Sequence, residues 1–278
     1  MAKTAAAPEA NLSAQKELNR SGQEVILSLQ HVSRDFDGFL AVDDVSFDIQ
    51  RGSITGLIGP NGAGKTTLFN VLTGMLAPTA GQVFLDGHAV SGKSPDQLFT
   101  QGLGRTFQIP RPFARMSVLE NVMLAPMAQL GEKWYGSFLD RKEVRQQEAL
   151  IRDRAMETLE FVTLDSLADR AAGQISGGQM KLLELARVLM GDPQLILLDE
   201  PAAGVNPTLT GTLIEKIEDL NRQGKTFVII EHDMDFVMQH CNPVIALAEG
   251  KIVFQGSPEE ALANPVLLDA YLGAQAND

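Results

Sequence analysis

Gly59-Pro60-Asn61-Gly62-Ala63-Gly64-Lys65-Thr66 narrows what this chain can become more than any other segment. It follows a short apolar run at 53–58 of strand length. It precedes residues 65–76, whose Leu68, Leu72 and Met75 share one helical face. Strand, glycine-rich turn and helix in that order match the pattern G-x-x-x-x-G-K-[ST] in its required context. The glycines let the backbone curl so that successive N–H groups point into one cavity, and the helix N-terminus adds its dipole. Lys65 supplies a point charge for β- and γ-phosphates, and the Thr66 hydroxyl can ligate Mg²⁺. By composition such a pattern arises by chance in roughly one chain of this length per hundred. Gly59 through Thr66, with the adjoining Thr67, are therefore the candidate binding residues for a nucleoside triphosphate.

A second feature fits the first. Leu195-Ile196-Leu197-Leu198 is wholly apolar and delivers two carboxylates, Asp199 and Glu200, at its carboxyl end. Ligands gather at that edge of a parallel α/β sheet. Asp199 is placed to hold Mg²⁺ through water, and Glu200 to polarise an attacking water. A buried strand ending in a polar turn is common on its own; the phosphate loop gives this one a chemical reading.

The rest of the chain alternates in the same way. Residues 25–29, 41–49 and 82–85 suggest antiparallel strands joined by turns such as Asp37-Gly38 and Asp86-Gly87. Strands are expected at 194–199, 225–231, 244–248 and 251–254, and helices at 176–190, 207–222, 234–240, 258–263 and 265–271. The stretch from about 109 to 178 offers no strand candidate. It carries Met116, Leu119, Val122 and Met123 at helical spacing, then a charged amphipathic segment at 141–160, and reads as a helical insertion. The expected fold is α/β, a mainly parallel sheet covered on both faces, with an antiparallel portion near the N-terminus.

Residues 1–23 are rich in Ala, Asn, Gln and Ser without an apolar centre, and are expected to be a disordered tail ahead of a single unit at 24–278. No apolar run approaches the ~18–20 residues of a membrane span. With 23 Lys and Arg against 35 Asp and Glu, a net charge of −12, the surface lacks the basic patch that nucleic acid requires. Cys241 is the one cysteine, so neither an intramolecular disulfide nor a cysteine zinc site is available, and a reducing compartment fits.

Ile175-Ser176-Gly177-Gly178-Gln179 brings these features together. With the phosphate loop before it and the Asp199-Glu200 strand about twenty residues after it, this segment resembles the signature sequence of ABC-type ATPases. The usual form begins with Leu, where this chain has Ile175. A Ser hydroxyl and glycine N–H groups at a helix N-terminus form a second anion site. In that family the element faces the phosphate loop of a second ATP-binding subunit, homologous or identical, so that each ATP is sandwiched between two chains. The resemblance implies roles for further residues. Gln108 matches the glutamine that contacts Mg²⁺ and the attacking water, and His232, in Glu231-His232-Asp233, matches the histidine that reaches the γ-phosphate. Phe36 matches the aromatic residue that stacks on adenine. Asn206 stands where many relatives have Asp. Taken alone, a loop glutamine, a histidine after an apolar strand or a single Phe has an ordinary solvated or core reading.

More narrowly, Gly104–Gln108, Arg111-Pro112-Phe113, Ser117-Val118-Leu119-Glu120-Asn121-Val122 and Glu200-Pro201-Ala202-Ala203-Gly204 look like the ATP-binding subunits of branched-chain amino-acid importers. That resemblance implies ATP and Mg²⁺ as cofactors, and two membrane permease subunits docking near 109–130, with Phe113, Met116, Leu119 and Met123 as candidates and Phe113 as the exposed anchor. It also implies a substrate-binding protein as an indirect partner, and a peripheral position on the cytoplasmic face of the inner membrane. Importers of urea, amides or neutral amino acids share the pattern. An exporter ATPase, such as one serving lipopolysaccharide, and a soluble nucleic-acid-linked ABC ATPase are the rival readings. The single cassette and the acidic charge weigh against the last.

Overall fold

Strand β3 (Ile54–Ile58) and helix α1 (Lys65–Leu72) hold the phosphate loop between them, and the rest of the molecule is arranged around that junction. The structure, a computed structural model, describes residues 24–106, 110–126, 141–265 and 267. The expected N-terminal tail, Gln108 and most of the expected helix at 265–271 lie outside the described residues.

Two sheets form. The first is antiparallel, in the order β2-β1-β4-β5, from β1 (Val25–Phe36), β2 (Phe39–Gln50), β4 (Ala80–Leu85) and β5 (His88–Ala89). Asp37 and Gly38, both with positive φ (51° and 96°), close the β1–β2 hairpin. That geometry matches the right-handed twist of the flanking strands and lets them run longer than their apolar patterns suggested. The second sheet runs β10-β9-β3-β8-β7-β6. Its members are β3, β6 (Leu103–Arg105), β7 (Leu195–Asp199), β8 (Thr226–Ile230), β9 (Val244–Ala248) and β10 (Lys251–Gly256). All its pairings are parallel except β9 with β10.

Strands β7 and β8 are fully buried because both faces are covered. Leu195, Leu197, Val228 and Ile230 face a core shared with β1, β2 and α1, whereas Ile196, Leu198, Phe227 and Ile229 face the helices. The helical side is built from α3 (Val118–Met123), α4 (Arg141–Phe161), α5 (Gly177–Leu189), α6 (Pro207–Arg222), α7 (Met234–His240) and α8 (Pro258–Leu262). Among the described residues from 110 to 194 the regular elements are helical, and α3, α4 and α5 pack on one another through Val118, Val122, Ala155, Leu159 and Leu182.

Three local expectations change. Helix α1 stops at Leu72 because Gly74 has φ 71°, and a Cβ there would meet the Lys93 carbonyl at 2.2 Å. Met75 consequently falls beyond the helix and is exposed instead of sharing the face of Leu68 and Leu72. Helix α2 (Pro95–Thr100), with its Ser94/Gln97 capping box, and strand β6 were not foreseen. Three residues centred on Gly104 carry little strand signal; the glycine is there because Val188 of α5 comes within 2.5 Å of where its Cβ would be.

Candidate active site

The phosphate loop is held in shape by contacts that exclude side chains. A Cβ on Gly59 (φ 153°) would meet the Leu247 carbonyl of β9 at 2.3 Å, and one on Gly64 (φ 96°) would meet the Ala41 carbonyl of β2 at 2.2 Å. Gly64 is the N-cap of α1 and makes no side-chain cap, so the first turn's N–H groups stay directed at the loop. Lys65 is only 6% exposed and donates to the carbonyls of Gly59 (2.6 Å) and Pro60 (3.0 Å). Burial pulls its ammonium below the ordinary value, and the nearby Glu200 and Asp199 carboxylates oppose that shift.

A cavity of about 370 Å³ opens over this loop, within the range of small-molecule sites. Asn61, Gly62, Ala63, Gly64, Lys65, Thr66 and Thr67 form its floor, Phe39 and Ala41 of β2 one wall, and Glu200 and His232 another. Residues about 140 and 170 positions from the loop thus meet it because β8 lies beside β3, β7 lies beside β8, and the three parallel strands end at the same edge.

Glu200 sits just past β7 with φ 48°, a left-handed conformation that costs a non-glycine residue about 1–3 kcal/mol and is concentrated at functional sites. Its N–H donates to the Ile230 carbonyl (3.0 Å) and its own carbonyl accepts from Lys181 Nζ (2.7 Å). Its Oε1 is hydrogen-bonded to Nε2 of His232, which follows β8. Asp199, buried at the end of β7, pairs with Arg105 of β6 (3.0 Å), whose guanidinium also donates to Asn70 (2.7 Å) and Thr73 (3.0 Å).

For a magnesium ion the candidate ligands are Thr66 in the cavity floor and Asp199. Among the described residues no group of three or more His, Cys, Asp or Glu could hold a metal by itself. One hydroxyl and one carboxylate suit an ion that arrives on phosphates, keeps several waters and takes one or two protein ligands. The third proposed ligand, Gln108, lies outside the described residues.

One expectation is revised by position. Phe36 does not line the cavity; its ring lies 4.6 Å beneath the Arg34 guanidinium, and the aromatic residue on the wall is Phe39, 68% exposed at the start of β2. Ser176, Gly177, Gly178 and Gln179, expected to face a second chain, do not line this cavity. Ser176 caps α5 by accepting from the Gln179 N–H (3.3 Å), and Gln179 Oε1 accepts from the Ser176 N–H (2.9 Å). Gly178 packs closely on α6, where an added Cβ would meet Leu209 at 2.6 Å, whereas Gly177 faces open space. Asn206 caps α6 by accepting from the Leu209 N–H (3.0 Å), a task Asp performs equally well.

Sequence reasoning passed over Phe39, Lys181, Arg105 and the chemistry of Glu231. A carboxylate ending an apolar strand (Ile229-Ile230-Glu231) was the available signal for the last.

A parallel sheet whose carboxyl edge joins a phosphate loop, a carboxylate pair and a histidine defines a P-loop nucleotide-binding protein. The ABC transporter family model matches residues 42–203, and the chain belongs to that family as an ATP-binding cassette. It is 39% identical over 249 residues to the high-affinity branched-chain amino acid transport ATP-binding protein LivG of Salmonella typhimurium, covering 89% of this chain and 98% of that one. Among solved structures, the ADP conformation of an ATP-binding cassette of an ABC transporter superposes with a TM-score of 0.76 at 36% identity, covering 90% of this chain and 99% of that one. A dimeric post-hydrolysis cassette bound to ADP and phosphate superposes with a TM-score of 0.68 at 26% identity, over 84% and 99% of the two chains. Among the described residues no helix is long and apolar enough to cross a membrane.

Proposed function

We propose that this chain hydrolyses ATP as the nucleotide-binding subunit of a membrane importer for branched-chain or other hydrophobic amino acids. The observation that carries the chemical part is the meeting of Lys65, Thr66, Glu200 and His232 around one cavity. The substrate class rests on what the Salmonella relative transports by name. Loop N–H groups and Lys65 bind the β- and γ-phosphates; Thr66 and Asp199 would hold Mg²⁺, which would supply charge neutralisation on the phosphates. Glu200 takes a proton from the attacking water, and His232, bonded to it, reaches the γ-phosphate. Phe39 supplies the aromatic wall for the base.

Residues 24–278 act as one cassette, with 109–178 as its helical subdomain. Ser176–Gln179 contact the ATP held by a second cassette, a reading supported by their distance from this chain's own cavity and by the dimeric relative. The permease subunits dock where α2, β6 and the end of α3 meet. Met75, Phe99, Leu103, Arg105 and Ala125 line an apolar groove of about 360 Å³ there. Within 110–126, Leu119 is core at 2% exposure, whereas Phe113 is 54% exposed with its ring under Arg187 (5.9 Å). The chain thus works peripherally, on the cytoplasmic face of the membrane.

The test is uptake of labelled leucine by cells that depend on this subunit. Glu200→Gln should abolish uptake while ATP stays bound to the purified chain. Met75→Asp should abolish uptake and co-purification with the permeases while ATP binding persists. Wild-type uptake in the Glu200 variant would refute the chemical assignment, and wild-type uptake in the Met75 variant the docking site.

A further inference from the structure

The loop after β7 and the loop after β8 carry Glu200 and His232, and neither loop is part of a helix or strand at those residues. Something must hold the two in register, since a misplacement of about 1 Å at a reacting group can cost 10²-fold in rate. The β7–β8 ladder ends with Asp199 opposite Ile230, and one further hydrogen bond, Glu200 N–H to Ile230 carbonyl, fixes only the backbone of Glu200.

Glu231 fills the gap. It is 3% exposed, and its two oxygens are divided between the loops: Oε1 accepts from the Ala202 N–H (2.8 Å) and Oε2 from the His232 N–H (3.2 Å). One carboxylate therefore grips the backbone two residues after Glu200 and the backbone of His232 itself. A buried carboxylate is costly to desolvate, and burial indeed pushes this one above its ordinary value against the pull of those two N–H groups. A neutral side chain would avoid that cost, so the position calls for a group with two acceptor oxygens. Lys181 of α5, donating to the Glu200 carbonyl, lies in the field of Glu231 and Glu200 and offsets their charge.

We infer that Glu231 is a positioning residue for hydrolysis: by accepting from Ala202 and His232 at once, it sets the Glu200–His232 hydrogen bond in reacting register without touching nucleotide. The inference rests on the roles proposed for Glu200 and His232.

A double-mutant cycle on the full chain tests it, with phosphate release read as kcat and KM and nucleotide affinity measured by calorimetry. Glu231→Gln keeps size and shape but replaces one acceptor oxygen with an N–H donor, so the fold is retained while one loop loses its bond. The expected result is a fall in kcat of about 10–100-fold, with nucleotide affinity unchanged. In a His232→Ala background the same substitution should change kcat less than about 2-fold, because the register it sets no longer matters. Wild-type kcat in Glu231→Gln, an equal loss in both backgrounds, or a parallel loss of nucleotide affinity would each overturn the inference. The His232→Ala chain alone separates the two levels: if it turns over like wild type, the role given to His232 fails, whatever Glu231 does.

Discussion

Two helix N-termini carry glycines, α1 in the turn that precedes it and α5 in its own first turn, and they are finished in opposite ways. At α1 the N-cap is Gly64, in the left-handed region, without a side-chain cap. Its glycines are fixed by the carbonyls of Leu247 and Ala41, pressed close from two different strands. At α5 the N-cap is Ser176, in extended conformation, and a reciprocal capping box with Gln179 satisfies two end groups within the segment itself. An anion receptor must leave its donors unsatisfied by its own side chains. The first terminus meets that condition inside one chain. The second meets it only if a ligand competes with its own cap, which fits a site completed by a second cassette.

That contrast can be attacked at four strengths. The greatest effect is expected in the chemistry over α1. Glu200→Gln should lower turnover by about 10²–10⁴-fold with ATP still bound, whereas Lys65→Ala should weaken ATP binding itself by about 10–100-fold. Equal affinities in wild type and Lys65→Ala, measured by calorimetry, would remove α1 as the phosphate receptor. Next comes backbone strain. Gly64→Ala forces a Cβ against the Ala41 carbonyl at positive φ and should cost about 2–5 kcal/mol in denaturant unfolding, while Gly177→Ala, facing open space, should shift stability by less than about 1 kcal/mol. Comparable losses at both glycines would mean that the two turns are held alike.

Smaller effects sharpen the α5 side. Ser176→Ala removes the cap and should cost about 1 kcal/mol of stability. It should leave ATP binding by the isolated chain unchanged while lowering turnover in the assembled pair; a drop in single-chain affinity would place this terminus in its own chain's site. The smallest effect concerns Cys241, behind α7. Burial pushes its thiol up to about 12, so at pH 8 it should resist alkylation in the native chain and react only after unfolding. Rapid labelling, read by mass spectrometry, would show that the packing of Val237 and Cys241 on Gly56 of β3 opens readily.

Much of the site was legible in the residues themselves. The phosphate loop, the apolar β7 ending in Asp199-Glu200 and the helix start at Ser176 are local patterns. Glycine spacing, strand hydrophobicity and capping chemistry each act within a few residues, so reading the chain in order finds them. The same holds for the alternation of strands and helices from 176 onward, where among the described residues observed and expected boundaries differ by at most two residues.

What the sequence could not decide depended on which segments meet. Phe36 and Phe39 are equivalent as text, being aromatic residues on either side of one turn; the hairpin's placement against the loop put Phe39 on the cavity wall and Phe36 under Arg34. Met75 fits the apolar face of α1 by spacing, but Lys93, pressed against Gly74, ends the helix before it. Arg105 and Lys181 carry no local signature, because each acts on a partner 19 to 94 residues away, and the carboxylate ending an apolar strand at Glu231 does not reveal that it bridges two loops. Local chemistry is written in neighbouring residues. Register between distant loops is set by strand order and packing, and those exist only after the sheet has formed.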